Sequence, residues 1–131
     1  MAKQIVYYQR SEKIIKAGTI ERRMFIILEG EVEISLTDGS SRVVVATLKK
    51  GDFFGEISLF NNTPRSADAL AAGDVKLAYI DSVEELKMFL LKNPVFAAKM
   101  VHILAQRLAK TDEILMGKVS ELNRLKVMRD F

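Results

Sequence analysis

Short apolar segments, each five to seven residues long and separated by turn residues, fill the first eighty positions of this chain. They are rich in β-branched and aromatic residues, which favour strands. Seven of them are predicted to be strands: "QIVYY", "KIIKA", "MFIIL", "EVEISL", "RVVVATL", "SADALA" and "VKLAYI". Glycines lie in or beside most of the gaps, and "TDGS" at 37–40 is a hairpin signal. Short strands with regular turns favour an antiparallel sandwich or barrel.

The apolar pattern changes period after residue 81. Ser82, with Glu85 three positions later, is a capping-box arrangement that begins a short helix. Asn93 and Pro94 supply a cap and a first-turn proline for a second helix. We therefore predict a single domain over residues 1–131, mainly β, with strands at about 4–81 and helices at about 82–128.

The second helix carries an apolar seven-residue repeat that Thr111 and Lys118 interrupt. Its members are Val101, Leu104, Leu108, Leu115, Leu122 and Leu125. Gly117 is a weak point near the middle of this run. A helix of about 35 residues is roughly 50 Å long, more than one small β domain can cover. We therefore expect part of it to pack on the strands and part to join a second copy in a homodimer.

Composition excludes several kinds of chemistry. The chain has no cysteine, so it has no disulfide framework and no thiolate nucleophile. His102 is the only histidine, and no dense acidic loop is present, so no metal or other cofactor is expected. His102 itself is predicted to lie on a helix surface or at the edge of the core. Phe53, Phe54 and Phe60 are predicted to be core residues.

The sequence predicts neither a membrane nor a nucleic-acid partner. The N-terminus lacks an apolar stretch of signal-peptide length, and the runs "MFIIL" and "VVVATL" are too short to cross a bilayer. The net charge of +3 comes from residues 99–131, which hold 7 basic and 4 acidic side chains. That excess is too small for a nucleic-acid arm, and a cytoplasmic protein is expected.

The stretch "GEISLFNNTPRSA" at 55–67 contains the candidate ligand-binding residues. Gly55 lets the backbone approach a ligand, and "EISLF" is long enough for one helical turn whose N–H groups can bind an anion. Arg65 adds a planar fork of donors that matches a phosphate, and Ser66 adds a hydroxyl. Glu56 would be repelled by a phosphate but can accept hydrogen bonds from a sugar hydroxyl. The alternative for this pair is a Glu56–Arg65 salt bridge that only closes a loop.

The stretch resembles the phosphate-binding cassette of the cyclic nucleotide-binding domain family, which reads Gly-Glu-apolar-small-Leu, a turn, then Arg-Ser-Ala. The resemblance extends to "LEGEVEI", "KKGDFFGE" and "VKLAYID". It implies an antiparallel double-stranded, jelly-roll-like β-roll with a short helix in the cassette and a long C-terminal helix. It also implies a set of ligand-binding residues: Gly55, Glu56, Ile57, Ser58, Arg65, Ser66 and Ala67. Glu56 would hold the ribose 2′-hydroxyl, and Arg65 would neutralise the cyclic phosphate.

Members of this family use the final helix as a lid over the base, and Arg107 and Leu108 lie where such a contact is expected. The resemblance thus implies a cyclic nucleotide sensor whose C-terminal helix moves on binding and signals to an effector protein. Ser66 favours cyclic AMP over cyclic GMP, for which a threonine would be the clearer sign. The chain departs from the family at "IERR", residues 20–23, where small and acidic residues are commoner.

Four other functions can be compared with this one. A DNA-binding regulator would need a further module, and the chain ends six residues after Leu125, so no direct DNA binding is expected. A scaffold without a ligand would use the β-roll to hold a protein partner. A cupin-like metal enzyme would need several histidines. A Ser–His hydrolase would need an oriented acid and a nucleophile elbow, so no enzymatic activity is expected.

Overall fold

The computed structural model describes residues 4–38 and 40–117. The strands are β1 (Ile5–Tyr8), β2 (Lys13–Ile15), β3 (Met24–Glu29), β4 (Val32–Asp38), β5 (Ser41–Leu48), β6 (Phe53–Phe54), β7 (Asp68–Ala71) and β8 (Val75–Ile80). The helices are α1 (Ile57–Phe60), α2 (Val83–Lys92) and α3 (Pro94–Gly117). All seven predicted strands are confirmed, and β6 is an addition. The end of the predicted helix, with Leu122 and Leu125, lies outside the described residues.

Two four-stranded antiparallel sheets form the β-roll, in the orders β1–β8–β3–β6 and β2–β7–β4–β5. Strands β4 and β5 make the predicted hairpin, with Asp38 opposite Ser41 and Val32 opposite Leu48. Gly39 of that turn lies outside the described residues. The other long pairing joins β3 to β8, where Phe25 lies opposite Tyr79. The mainly β, antiparallel fold expected from the sequence is therefore confirmed.

Strand β3 is buried on both faces and separates two apolar cores. Phe25 and Ile27 face the core between the two sheets. Met24 and Ile26 point the other way, into a second core that the helices cover. Burial on both sides explains why this strand reads as one continuous apolar run rather than as an alternation.

The helices cover the outer face of the first sheet. Ser82 Oγ accepts a hydrogen bond from the Glu85 N–H at 3.1 Å, which confirms the predicted start of α2. Phe96, near the start of α3, packs edge-on against Phe53 and Phe89 with ring centroids 6.1 and 5.2 Å apart. Among the described residues no single helix is both long and apolar enough to span a bilayer. Helices α2 and α3 meet that test only as a pair, and they are bent by 117°.

The core prediction was wrong for Phe60, which is 55% exposed, whereas Phe53 and Phe54 are fully buried. Phe60 is the last residue of the single turn α1, and the preceding Leu59 takes the buried position. Successive residues on a helix point about 100° apart, and the direction after that of Leu59 takes Phe60 away from the core. His102 lies on an exposed part of α3, as predicted.

Candidate functional site

The cassette is a single helical turn between two loops. Gly55 precedes α1 with a φ of 83°, a conformation that favours glycine. A Cβ atom there would lie 2.7 Å from Arg65 Nη1 and 2.9 Å from the carbonyl oxygen of Arg23. The turn is closed by the Asn61 N–H, which donates to the Ile57 carbonyl at 2.9 Å. Glycine is therefore required both for the backbone angle and for close packing around the arginine.

Six of the seven predicted ligand-binding residues line one cleft, and Glu56 is the one that does not. They are Gly55, Ile57, Ser58, Arg65, Ser66 and Ala67. Apolar residues of four strands complete the wall: Ile15, Ile34, Phe54 and Ala69. Thr63, Pro64 and Asp68 also line it. The fold thus brings both ends of the cassette to one concave surface.

Arg65 is only 6% exposed and is held by backbone carbonyls. Its Nη1 donates to the Gly55 carbonyl at 3.1 Å, and its Nη2 donates to the carbonyls of Glu21 and Arg23. Its own backbone pairs with the same loop, since the Arg65 N–H donates to the Thr19 carbonyl at 2.8 Å. Arg65 therefore joins the cassette to the β2–β3 loop (residues 16–23) as well as facing the cleft.

Two buried side-chain oxygen atoms of the cassette have no hydrogen-bond partner among the described residues. One is the hydroxyl of Ser66, which lines the cleft, and the other is Oε2 of Glu56. Buried polar groups in proteins nearly always have a partner, and each exception needs a reason. A ligand that accepts from one atom and donates to the other would supply that reason.

Glu56 is 2% exposed and pairs with Arg107 of α3, whose Nη1 lies 3.0 Å from Glu56 Oε1. Arg107 Nη2 also donates to the Phe53 carbonyl at 2.6 Å, and the guanidinium lies 4.6 Å from the centroid of the Phe53 ring. The residue predicted as a lid contact is therefore placed on the cassette itself. Leu108 is 59% exposed and does not line the cleft, and its role stays a prediction.

Burial and mutual attraction change the pKa of both Glu56 and Arg107. Burial raises the pKa of the Glu56 carboxyl above its ordinary value, and the positive charge of Arg107 opposes that shift. Burial lowers the pKa of the Arg107 guanidinium, and Glu56 and Asp52 oppose that shift. The pair is a desolvated charge contact between the cassette and α3. A change in the charge or position of one side chain therefore changes the electrostatic energy of the other.

Asp68 is a cleft residue that the sequence analysis missed. It is 6% exposed, its Oδ1 accepts from the Ala17 N–H at 2.8 Å, and its Oδ2 lies 3.5 Å from Lys13 Nζ. The signal was an acidic residue inside the otherwise apolar strand segment "SADALA". Asp52, by contrast, closes a turn, because its carboxylate accepts a hydrogen bond from the Lys49 N–H at 2.9 Å.

Known proteins match this arrangement. The family model described as cyclic nucleotide-binding domain matches residues 5–92. The cAMP-dependent protein kinase regulatory subunit of Mycosarcoma maydis is 44% identical over 66 residues, which cover 50% of this chain and 13% of that protein. The CRP-like cAMP-activated global transcriptional regulator of Mycobacterium tuberculosis is 27% identical over 113 residues, covering 86% of this chain and 50% of that protein.

Solved structures agree with the sequence comparison. The catabolite activator protein of Thermus thermophilus superposes with a TM-score of 0.72 at 28% identity, covering 86% of this chain and 53% of that one. The chain thus spans about half or less of the length of these relatives. The family match nevertheless covers more than half of the chain and includes the whole cassette. This chain belongs to the cyclic nucleotide-binding domain family.

Proposed function

We propose that this chain is a cytoplasmic sensor domain, formed by residues 1–131, that binds cyclic AMP in preference to cyclic GMP and performs no chemistry on it. The observation that carries the proposal is the wall of the cleft, where the buried Arg65 guanidinium is followed in sequence by the Ser66 hydroxyl, a buried group that has no hydrogen-bond partner within the described part of the chain. A cyclic phosphate offers the negative charge and the acceptor oxygens that such a wall fits. The names of two relatives, one cAMP-dependent and one cAMP-activated, support the choice of base.

In this proposal the ligand spans the cassette. The phosphate binds Arg65 and Ser66, together with the backbone of Ile57, Ser58 and Ala67. The ribose 2′-hydroxyl donates to Glu56, whose Oε2 accepts no hydrogen bond from the described residues. Placing sugar and phosphate on different residues keeps the carboxylate away from the anion.

Movement of α3 follows from the same contacts. Glu56 is the residue that would hold the ribose, and it is also the residue that pairs with Arg107 of α3. A hydroxyl bound to Glu56 changes the electrostatic environment of Arg107, so the ligand has different affinities for two positions of the helix. A ligand shifts a conformational equilibrium only through such a difference. The displaced helix would then signal to an effector protein.

The scaffold alternative has one observation in its favour. Arg65 donates to three backbone carbonyls, so this arginine has a structural use that needs no ligand. In that case the cleft would be a by-product of the fold, and the chain would work through a protein partner.

Titration calorimetry with cyclic AMP and cyclic GMP separates the two functions. The protein is first unfolded and refolded to remove carried-over nucleotide. We expect heat with cyclic AMP, loss of binding in Arg65→Ala, and about tenfold weaker binding in Ser66→Ala, which leaves the carbonyl contacts of Arg65 in place. Cyclic AMP at a hundred times its Kd should stabilise the fold by about 2.7 kcal/mol.

Arg42→Ala is the matched control for charge. Arg42 is an exposed residue of β5 whose Nη2 lies 3.3 Å from Glu33 Oε1, so this variant removes one positive charge away from the cleft. It should bind cyclic AMP like the wild type. A refolded wild type that binds neither nucleotide contradicts the sensor and leaves the scaffold.

A further inference from the structure

The β2–β3 loop contacts the C-terminal end of the cassette helix. Helix α1 is a single turn, and the last carbonyls of a helix have no partner within it. Arg22 Nη2 donates to the Leu59 carbonyl at 2.7 Å. Leu59 is fully buried, in the core that the helices cover. A charged donor therefore fixes the end of a helix that is too short to be stable alone.

The same loop is held by the arginine of the cleft. Arg65 Nη2 donates to the carbonyl of Glu21 at 2.8 Å and to the carbonyl of Arg23. These two residues flank Arg22 on either side. The position of the Arg65 guanidinium thus determines the backbone from which Arg22 reaches α1. A continuous set of contacts runs from Arg65 through the loop to Leu59.

We propose that Arg22 is a positioning residue of the nucleotide site, which couples the state of Arg65 to the placement of α1. The proposal rests on the proposed function. Arg22 does not line the cleft, so its effect on binding would come through the helix and not through contact with the ligand. A phosphate that accepts hydrogen bonds from Arg65 weakens the hydrogen bonds between Arg65 and the loop carbonyls. Arg22 then transmits that change to α1, the helix that contains Ile57 and Ser58.

Variants at Arg22 and Arg23 test this coupling. Arg22→Met removes the donor but keeps an apolar chain, and Arg22→Lys keeps a charged donor. Arg23→Met is the matched control, because Arg23 is in the same loop but lies 4.1 Å over the Tyr79 ring and 3.8 Å from Glu21 Oε1. It removes the same charge one residue away from the contact with α1. Thermal melts verify that each variant is folded, and Arg22→Gln replaces Arg22→Met if the latter unfolds.

The affinity for cyclic AMP is the first readout. We expect Arg22→Met to bind about tenfold more weakly than the wild type, which corresponds to about 1.4 kcal/mol, with faster dissociation. Arg22→Lys should recover most of the loss, and Arg23→Met should stay within about twofold of the wild type.

Amide hydrogen exchange without nucleotide is the second readout. The Asn61 N–H closes α1, so it should exchange faster in Arg22→Met than in Arg23→Met. If Arg22→Met binds like the wild type, or if Arg23→Met is weakened equally, the role of Arg22 is wrong while the proposed function stands. A wild type that binds neither nucleotide overturns the proposed function and this proposal together.

Discussion

Glu56 contributes to the stability of the fold and, in the proposed function, also to ligand binding. Its carboxylate is removed from water during folding, with Arg107 at 3.0 Å as its counter-ion. Desolvating a charge is costly unless it is paired and hydrogen-bonded. The free-energy cost of desolvating the carboxylate is part of the free energy of folding. A sugar hydroxyl that reaches Glu56 would therefore bind an acceptor that is already desolvated. The same burial makes the residue sensitive to pH.

The pKa of Glu56 gives a prediction with a definite sign. Burial raises the pKa of the folded state above the ordinary value of 4.5, with Arg107 opposing. The folded protein then retains a proton that the unfolded chain has released. The stabilisation that comes from this retained proton is fully present below the pKa of Glu56 in the unfolded chain, and it is lost as pH rises through the pKa of Glu56 in the folded protein. The unfolding free energy of the wild type, minus that of Glu56→Gln, should therefore fall as pH rises above about 4.5.

Urea unfolding of both proteins at a series of pH values measures this difference. Glutamine cannot titrate, so the difference isolates the proton on residue 56. A difference that rises with pH over this range would mean that Arg107 outweighs burial, and that the folded pKa is lowered.

Helix α3 is joined to the cassette by Arg107, and this contact can be tested by removing the cation. Arg107→Met leaves the Glu56 carboxylate buried without its partner, and breaking one side of a buried pair costs about 3 kcal/mol or more. We expect that loss in urea unfolding, with faster amide exchange along the described part of α3. Lys110→Met removes an exposed charge on the same helix and should change stability by about 0.5 kcal/mol or less. Equal effects of the two changes would show that the pair does not hold the helix.

The elements that the sequence predicted are those whose signals are local. In β4 the apolar residues Val32 and Ile34 alternate with polar ones, and both are buried. The start of α2 follows from Ser82 and Glu85 alone. The two-residue strand β6 is too short for any period, and it exists because Phe53 and Phe54 pair with β3.

The site was predicted in its residues but not in its contacts. The resemblance brought Gly55, Arg65 and Ser66 together, and the cleft contains all three. Glu56 and Arg107 are 51 positions apart, and no periodicity relates them. The donation of Arg65 to backbone carbonyls was equally hidden, because every residue has a carbonyl and only the folded loop decides which ones it meets.

Helix α3 has more apolar surface than the β-roll covers. Val101, Leu104 and Leu108 are 68%, 36% and 59% exposed. Their spacings of three and four residues place them on one face of the helix. Arg107 and Ile103 belong to the other side, which packs toward the roll. The helix therefore has one face on its own domain and one apolar face turned outward.

We predict that a second copy of the chain covers this outward face. The apolar repeat continues in the sequence through Leu115, Leu122 and Leu125, which suits a helix pair. The wild type should sediment as a dimer. The double variant Leu104→Glu with Leu108→Glu should sediment as a monomer, because it places two charges in the apolar interface between the helices. Val43→Glu, at a 44% exposed apolar residue of β5, is the control and should stay dimeric.

If the dimer forms, α3 takes part in both the dimer interface and the contact with Glu56. Ligand binding and dimerisation are then coupled through one helix, and such coupling is reciprocal. Because the dimer has two nucleotide sites, saturating cyclic AMP should change the dimer dissociation constant by the square of the factor by which dimerisation changes the affinity of each site. Sedimentation with and without nucleotide measures the first factor, and titration of wild type against the double variant measures the second. A dimer dissociation constant that cyclic AMP leaves unchanged, or a wild type that is monomeric throughout, would contradict this role for α3.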